Sequence, residues 1–198
     1  KNPKLANNLP LPVQSGSDSI LMRMKRKHTS LEYKSIIRKI RNIRPDIHLT
    51  SDFIIGYPGE TDNEFKETMN FISDVNFTDA YSFIYSPRPG TPATLEKDTI
   101  SMEVKKKRLY ELQNIIREQS IAYSKSMQGT RQSILVEDRS KKKSGEYFGR
   151  ASNNKIVNFK SKENYIGNFV DVEITSVMQN IVHGEIINQN FEKPLVEH

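Results

Sequence analysis

The sequence predicts an α/β segment that forms part of a TIM-type barrel, followed by a small all-β barrel of the OB type. Strand-like and helix-like patterns alternate over residues 9–100, and polar loops with Gly or Pro follow three successive strands. After Gly129 the apolar period changes from helical to alternating. Because a closed TIM barrel needs ~250 residues, three strands predict only a partial barrel.

The composition is that of a globular protein rather than a disordered one. Of 198 residues, 35% are hydrophobic and 27% are charged, and the net charge of +6 permits a polyanionic partner. No apolar run approaches the ~20 residues of a membrane span, and the N-terminus has no pattern of charged and then apolar residues. We therefore expect a cytoplasmic protein with no membrane partner.

Cysteine is absent from the sequence. The chain therefore offers no disulfide and no thiolate ligand for zinc or an iron–sulfur cluster. Four histidines lie at positions 28, 48, 183 and 198, without the spacing of metal ligands. We expect this chain to bind no metal by itself.

The first elements are a strand and two helices. Residues 9–17 have the pattern of a short strand that ends in a polar Gly turn, and Ser17 is predicted to cap the helix that follows. Thr29 and Glu32 form a capping box, which predicts that a second, amphipathic helix begins there. That helix is expected to end before Pro45, because the residue that precedes a proline disfavours helix.

The central strand is predicted at residues 47–55, where an apolar run ends at Gly56. A second capping box, Thr61 with Glu64, predicts a helix over 61–75. In α/β folds, ligands bind where a strand, a tight loop and a helix N-terminus follow one another. The alternative interpretation is an ordinary turn between a strand and a helix.

A third strand, predicted at 79–85, leads into a loop rich in Pro and Gly at 86–92. Loops on the same end of three neighbouring strands would form one concave face, which favours a binding site. A long helix is expected over 101–127. Its basic cluster at 105–108 is interpreted as a solvated face rather than a nucleic-acid patch.

Five short strands are predicted after Gly129, and five such strands are typical of a small closed barrel. The basic loops and the aromatic residues of this barrel favour RNA binding, with bases stacked on Tyr147, Phe148 and Phe159. The alternative is a basic, solvated barrel whose aromatic residues belong to the core. The predicted strands lie at 132–137, 146–150, 155–159, 169–176 and 181–187.

Three loop motifs together resemble the second half of the radical S-adenosylmethionine methylthiotransferases. They are LPVQSGS at 11–17, TSDFIIGYPGET at 50–61 and YSFIYSPRPGTPA at 81–93. The β-barrel is similar to the TRAM domain, an RNA-binding module of these enzymes, and GRASNNKIVNF at 149–159 favours their tRNA-modifying branch. Pro10 departs from the pattern, since many relatives carry His there.

The resemblance implies three parts of the chain. Residues 1–127 would be the C-terminal part of the radical S-adenosylmethionine barrel with a long connecting helix, and 128–190 the TRAM barrel. Residues 191–198 are interpreted as a tail with the remnant of a purification tag.

The implied activity of the full-length parent is the addition of a methylthio group to C2 of N6-isopentenyladenosine, next to the anticodon of tRNA. The family uses S-adenosylmethionine, two [4Fe–4S] clusters and an electron donor that reduces them. The cysteines of those clusters are absent here, so we expect this chain alone to bind none of these cofactors and to be inactive. A truncated barrel would also expose sheet edges, which predicts self-association.

Two alternatives remain open. The first is the sister methylthiotransferase that acts on threonylcarbamoyladenosine. The second is a non-catalytic RNA-binding module in which the α/β part is only a scaffold, because similarity of fold does not fix function.

The resemblance also implies roles for single residues. Asp52 would accept a hydrogen bond from an ammonium or hydroxyl group, or would tether a neighbouring loop, and Arg88 would reach substrate phosphate or the surroundings of the second cluster. The residues implied to bind the cofactor are Gln14, Ser15, Ser17, Asp52, Ile54, Ile55 and Gly56. Those implied to contact tRNA are Arg88, Arg150, Asn153, Asn154, Lys155 and Asn158.

Overall fold

The structure is a computed structural model that describes residues 6–141, 144–178 and 181–188. The described residues form two compact units. One comprises residues 9–120, and the other begins at Ile121 and includes the described N-terminal residues before Leu9. The predicted tail at 191–198 lies outside the described residues, and the predicted domain boundary at 127 stays a prediction.

The elements up to the long helix alternate between strand and helix, as predicted. They are β1 (Asn8–Pro10), α1 (Asp18–Arg23), α2 (Ser30–Ile43), β2 (His48–Ile55), α3 (Asp62–Val75), β3 (Asp79–Ile84), a 3-10 turn (Pro92–Leu95) and α4 (Met102–Ser126).

Both predicted capping boxes are present. The Thr29 hydroxyl accepts from the backbone of Glu32, and Thr61 does the same for Glu64, while each glutamate accepts from its threonine N–H. Because these pairs satisfy orphan amides at the helix N-termini, they determine where α2 and α3 begin. The prediction for Ser17 was wrong in its chemistry: Ser17 occupies the N-cap position of α1, but its side chain makes no capping hydrogen bond.

The three strands form one sheet in the order β1-β2-β3, with β2 and β3 parallel. Side chains alternate along β2 between two environments. Leu49, Phe53 and Ile55 are fully buried in a core that α2, α3 and α4 complete, whereas Asp52 and Ile54 lie on the opposite, less buried face. The helices therefore cover one face of this sheet and leave the other accessible.

The second unit contains the predicted closed barrel. The strand order is β4-β5-β6-β8-β7, with β6 and β8 parallel and the other pairs antiparallel. This order and a fully buried apolar interior are those of a five-stranded OB-like barrel. Its strands are β4 (Arg131–Arg139), β5 (Glu146–Ala151), β6 (Ile156–Lys160), β7 (Phe169–Met178) and β8 (Ile181–Asn188).

None of the helices in the described part of the chain combines the length and the apolar character that a membrane crossing requires.

Candidate functional site

A cavity of about 780 Å³ opens at the carboxyl ends of β2 and β3, on the face of the sheet that the helices leave accessible. The predicted loops after β1, β2 and β3 all contribute to its wall. Of the residues implied to bind cofactor or substrate, Gln14, Asp52, Ile54 and Arg88 line it. The concave face predicted from the three loops is therefore present.

Gln14 is held at the cavity by its own backbone. Its N–H donates to the carbonyl of Asp52 at 2.9 Å, and its carbonyl accepts from the N–H of Ile54 at 2.9 Å. The φ of 79° is unusual for a residue other than glycine and marks a constrained position. This bridge to β2 fixes Gln14 beside the two residues of β2 that line the cavity.

Ser15 and Ser17 do not line the cavity. Ser15 is buried, with its hydroxyl 3.2 Å from the Thr68 hydroxyl, and it accepts from the N–H of Ser17 at 3.1 Å. Gly16 explains this burial, because a Cβ there would lie 2.5 Å from Cβ of Phe71. This loop therefore packs tightly against α3, and the cofactor roles of both serines stay predictions.

Ile55 and Gly56 also lie outside the cavity wall. Ile55 packs in the core, and Gly56 adopts a φ of +70°, which favours glycine. The space beside Gly56 is filled by the side chain of Lys105, because a Cβ on Gly56 would lie 2.6 Å from Cγ of Lys105. The adenine contacts implied for these two residues stay predictions.

Beneath the Gly56 loop lies a buried ion pair that the sequence analysis missed. Oε2 of Glu60 accepts from the N–H of Gly56 at 3.0 Å and from Nη1 of Arg108 at 2.8 Å. Arg108 also donates to the carboxylate of Asp62 at 2.6 Å. Burial raises the pKa of Glu60, although the Gly56 N–H and Arg108 oppose that shift. Arg108 on α4 therefore stabilises the Gly56 loop through Glu60.

The interpretation of residues 105–108 as a solvated face was wrong for two of them. Lys105 is 3% exposed and Arg108 is 6% exposed, and Lys105 forms an ion pair with Asp98. Lys106 and Lys107 are exposed, as predicted. The spacing of three residues between Lys105 and Arg108 puts both on one helical face, and only the fold shows that this face meets acidic partners.

Arg23 braces the other side of the same loop, and the sequence analysis did not single it out. Its guanidinium donates to the carbonyl of Pro58 at 2.7 Å and pairs with the carboxylates of Glu64 and Glu96. It also lies 5.3 Å above the ring of Tyr57. With these contacts Arg23 is a structural residue of the cavity wall.

Three further cations line the cavity without an ion pair in the described part of the chain. These are Lys25, Arg26 and Arg88, and all three are exposed. Asp52 is the carboxylate on the same wall. The cavity therefore has a cationic rim around a wall that contains Asp52 and the apolar Ile54, which suits a ligand that carries an anionic group and an apolar part.

In the barrel, Arg150, Asn154 and Lys155 lie at one turn between β5 and β6. Arg150 donates to the carboxylate of Glu137 at 2.8 Å and to Oδ1 of Asn154 at 3.1 Å. Asn154 adopts a left-handed φ of 65°, which the turn requires. The ammonium of Lys155 lies 5.9 Å from the ring centre of Tyr123. These three side chains form the part of the predicted tRNA surface that the structure brings together.

Asn153 and Asn158 lie elsewhere. Asn153 is 4% exposed and donates to the hydroxyl of Tyr123 at 3.0 Å, so its amide holds the turn against the end of α4. Asn158 lines a separate barrel cavity of about 590 Å³, together with Lys160, Lys162 and His183. Their tRNA contacts stay predictions.

The stacking role of two aromatic residues was wrong. Tyr147 and Phe159 are buried in the barrel core, with their rings stacked 6.1 Å apart. Phe148 is half-buried. Alternation along β5 and β6 sends Tyr147 and Phe159 inward, which the alternative interpretation of the sequence already allowed.

The resemblance implies two kinds of cofactor, S-adenosylmethionine and iron–sulfur clusters, and the residues of this chain suit only the first. The polar wall of Gln14 and Asp52 beside Ile54 offers partners for the ammonium, hydroxyl and apolar groups of S-adenosylmethionine. An iron–sulfur cluster finds no such fit: the sequence has no cysteine, and the described residues contain no cluster of three or more His, Asp or Glu side chains that could hold a metal ion.

Comparison with known proteins accounts for both units. Residues 3–72 match the Radical SAM superfamily, and residues 125–187 match the TRAM domain. The chain is 55% identical, over 98% of its length, to a tRNA-2-methylthio-N(6)-dimethylallyladenosine synthase of Actinobacillus succinogenes, of which it covers 41%.

Two further relatives bear the same name. The synthase of Vibrio vulnificus strain YJ016 is 56% identical over 93% of this chain and 39% of its own length. The synthase of Photorhabdus laumondii is 55% identical over 99% of this chain and 41% of its own length. The chain thus spans about two fifths of the length of these relatives. Within the chain, a segment similar to the Radical SAM superfamily is followed by one similar to the TRAM domain, and both lie in the stretch that matches these synthases.

Proposed function

We propose that this chain is part of a tRNA methylthiotransferase that adds a methylthio group to C2 of N6-isopentenyladenosine next to the anticodon. The observation that carries the proposal is the identity of 55% over 98% of the chain, across both units, to synthases named for this product. The cavity adds independent support, because residues of all three motifs line its wall.

S-adenosylmethionine is the proposed ligand of the cavity. Asp52 would accept from its ammonium or a ribose hydroxyl, Gln14 would hydrogen-bond its polar groups, and Ile54 would contact the adenine. When bound, the cofactor supplies the methyl group and the radical that activates the base. The other four residues would affect cofactor binding indirectly, because they set the conformation of the loops around the cavity: Ser15, Ser17, Ile55 and Gly56.

The α/β unit is proposed to be a piece of a larger TIM-type barrel. Its sheet carries helices on one face only, as the strands of such a barrel do. The accessible face, with Asp52 and Ile54, would then line the barrel interior. The iron–sulfur clusters of the parent protein would be bound by residues other than those of this chain.

The test of the reaction is nucleoside mass spectrometry on tRNA from cells that lack the parent gene. Loss of the methylthio form, with isopentenyladenosine accumulating, is the expected result. If the threonylcarbamoyladenosine derivative loses its methylthio group instead, the sister activity is correct. If neither nucleoside changes, the non-catalytic RNA-binding module replaces the enzyme.

Asp52→Asn in the full-length parent is expected to weaken S-adenosylmethionine binding by about ten- to a hundredfold, because a charge-assisted hydrogen bond contributes roughly 1.5–3 kcal/mol. Equilibrium binding of the cofactor measures this. Glu103→Gln, at the exposed start of α4, is the matched control and should bind normally. Unchanged affinity in Asp52→Asn would leave Asp52 with the tethering role alone.

Arg150→Gln is expected to lessen the salt dependence of tRNA binding, because each phosphate contact that is lost lowers the slope of log K against log salt by about one. Titrations of the chain with tRNA at several salt concentrations measure the slope. Lys106→Gln removes an exposed charge from α4 and should leave it unchanged. Equal slopes for Arg150→Gln and wild type would exclude a phosphate contact at Arg150.

A further inference from the structure

The accessible face of the sheet carries two large aromatic side chains, Tyr81 and Phe83, that have no role in the proposed cofactor contacts. Tyr81 is 70% exposed and Phe83 is 56% exposed, and the two are adjacent on the same side of β3. Leaving this much apolar surface in water is unfavourable. Of the two, Phe83 lies at the cavity, where a bound ligand would cover its ring.

Phe83 belongs to the cavity wall. It lies directly opposite Ile54 in the parallel ladder of β2 and β3, and both side chains line the cavity. Tyr81 lies opposite Asp52 in the same ladder. The ring of Phe83 thus stands beside the proposed cofactor residues and faces the same space.

The charges around this ring select the kind of ligand. Lys25, Arg26 and Arg88 line the same cavity, and no carboxylate of the described residues forms an ion pair with them. An exposed aromatic ring beside unpaired cations is the combination that binds single-stranded nucleic acid, because bases stack on the ring while the cations contact phosphates. Paired RNA would bury its base faces and could not use the ring.

We propose that Phe83 is the stacking platform for the base of an unpaired nucleotide of the RNA substrate, and that Lys25, Arg26 and Arg88 contact its flanking phosphates. This inference rests on the proposed function, because it takes RNA as the ligand. It adds a base-binding residue in the α/β unit to the tRNA surface proposed on the barrel.

The experiment measures the affinity of the 198-residue chain for a hairpin RNA with N6-isopentenyladenosine in its loop. Phe83→Ala should weaken binding by about tenfold, the size of one lost base stack, and Phe83→Trp should retain it. Tyr110→Ala removes a similarly exposed aromatic ring from α4 and should have no effect. Because Phe83 is largely exposed, the variants should keep the wild-type melting temperature.

The salt dependence separates the two parts of the proposal. Phe83→Ala should leave the slope of log K against log salt unchanged, whereas Arg88→Gln should lower it by about one. A fully paired duplex of the same length that contains the modified base should bind wild type and Phe83→Ala equally, because it offers no unpaired base to the ring.

Failure of the inference and failure of the proposed function give different results. If wild type binds the hairpin and Arg150→Gln weakens binding but Phe83→Ala does not, RNA contacts the barrel and the stacking platform is wrong. If wild type does not distinguish the hairpin from an unrelated duplex, both the platform and the proposed RNA substrate are wrong.

Discussion

Gly149→Ala is expected to destabilise the β-barrel by about 3 kcal/mol or more, because the new methyl group has no room. A Cβ on Gly149 would lie 2.2 Å from the carbonyl oxygen of Leu135 and 2.7 Å from Cγ2 of Ile134. Leu135 belongs to β4, the strand that pairs with β5 at this point. Relief of the clash would require the two strands to separate, which breaks ladder hydrogen bonds.

Urea denaturation followed by circular dichroism measures this loss. Gly167→Ala is the matched control, because it adds the same methyl group where nothing lies within 4 Å. Its φ of +81° still makes alanine unfavourable there, by about 1 kcal/mol. Similar midpoints for the two variants would show that β4 and β5 are not packed as closely as the structure indicates.

Arg108→Met is expected to destabilise the α/β unit by about 3–5 kcal/mol, because it leaves the carboxylate of Glu60 buried without its ion-pair partner. Both side chains are almost completely excluded from solvent. The effect should depend on pH. Burial raises the pKa of Glu60 in the folded protein, so the part of the stability that depends on this group is present at low pH and is lost as the pH rises through the folded pKa.

The destabilisation by Arg108→Met should therefore be small at low pH, where Glu60 is protonated in both proteins, and should grow as the pH rises and the buried carboxyl is forced to ionise without its partner. The double variant Glu60→Gln with Arg108→Met should recover much of the stability at neutral pH, because the buried charge is gone. Lys107→Met, an exposed neighbour on α4, is the control and should stay near wild type. A loss in Arg108→Met that is equal at all pH values would rule out the uncompensated Glu60 charge as its cause.

Most of the secondary structure was predictable from the sequence because local signals were strong. The capping boxes at Thr29 and Thr61 and the apolar run of β2 act within a few residues, so their outcome does not depend on distant parts of the chain. The change of period after Gly129 likewise predicted five strands at nearly their observed positions. The OB-like barrel is confirmed by the strand order.

The lining of the cavity was only partly predictable, because successive side chains of a strand point to opposite faces of the sheet and only one face meets the cavity. Asp52 and Ile54 line the cavity, while Ile55, one residue further, is in the core. The burial of Tyr147 follows from the same alternation in a closed barrel. No property of the residue types alone could assign these faces.

The sequence by itself determined the order of the secondary-structure elements and their approximate boundaries, because these depend on neighbouring residues. It also contains the motifs and thereby indicates the family that they resemble. Only the tertiary structure decided which charges are buried and which remain exposed. Arg108 meets Glu60 across 48 positions of sequence, whereas Lys106 and Lys107 beside it stay in water. Contacts over such separations depend on how the helix packs, and that packing cannot be read from local sequence.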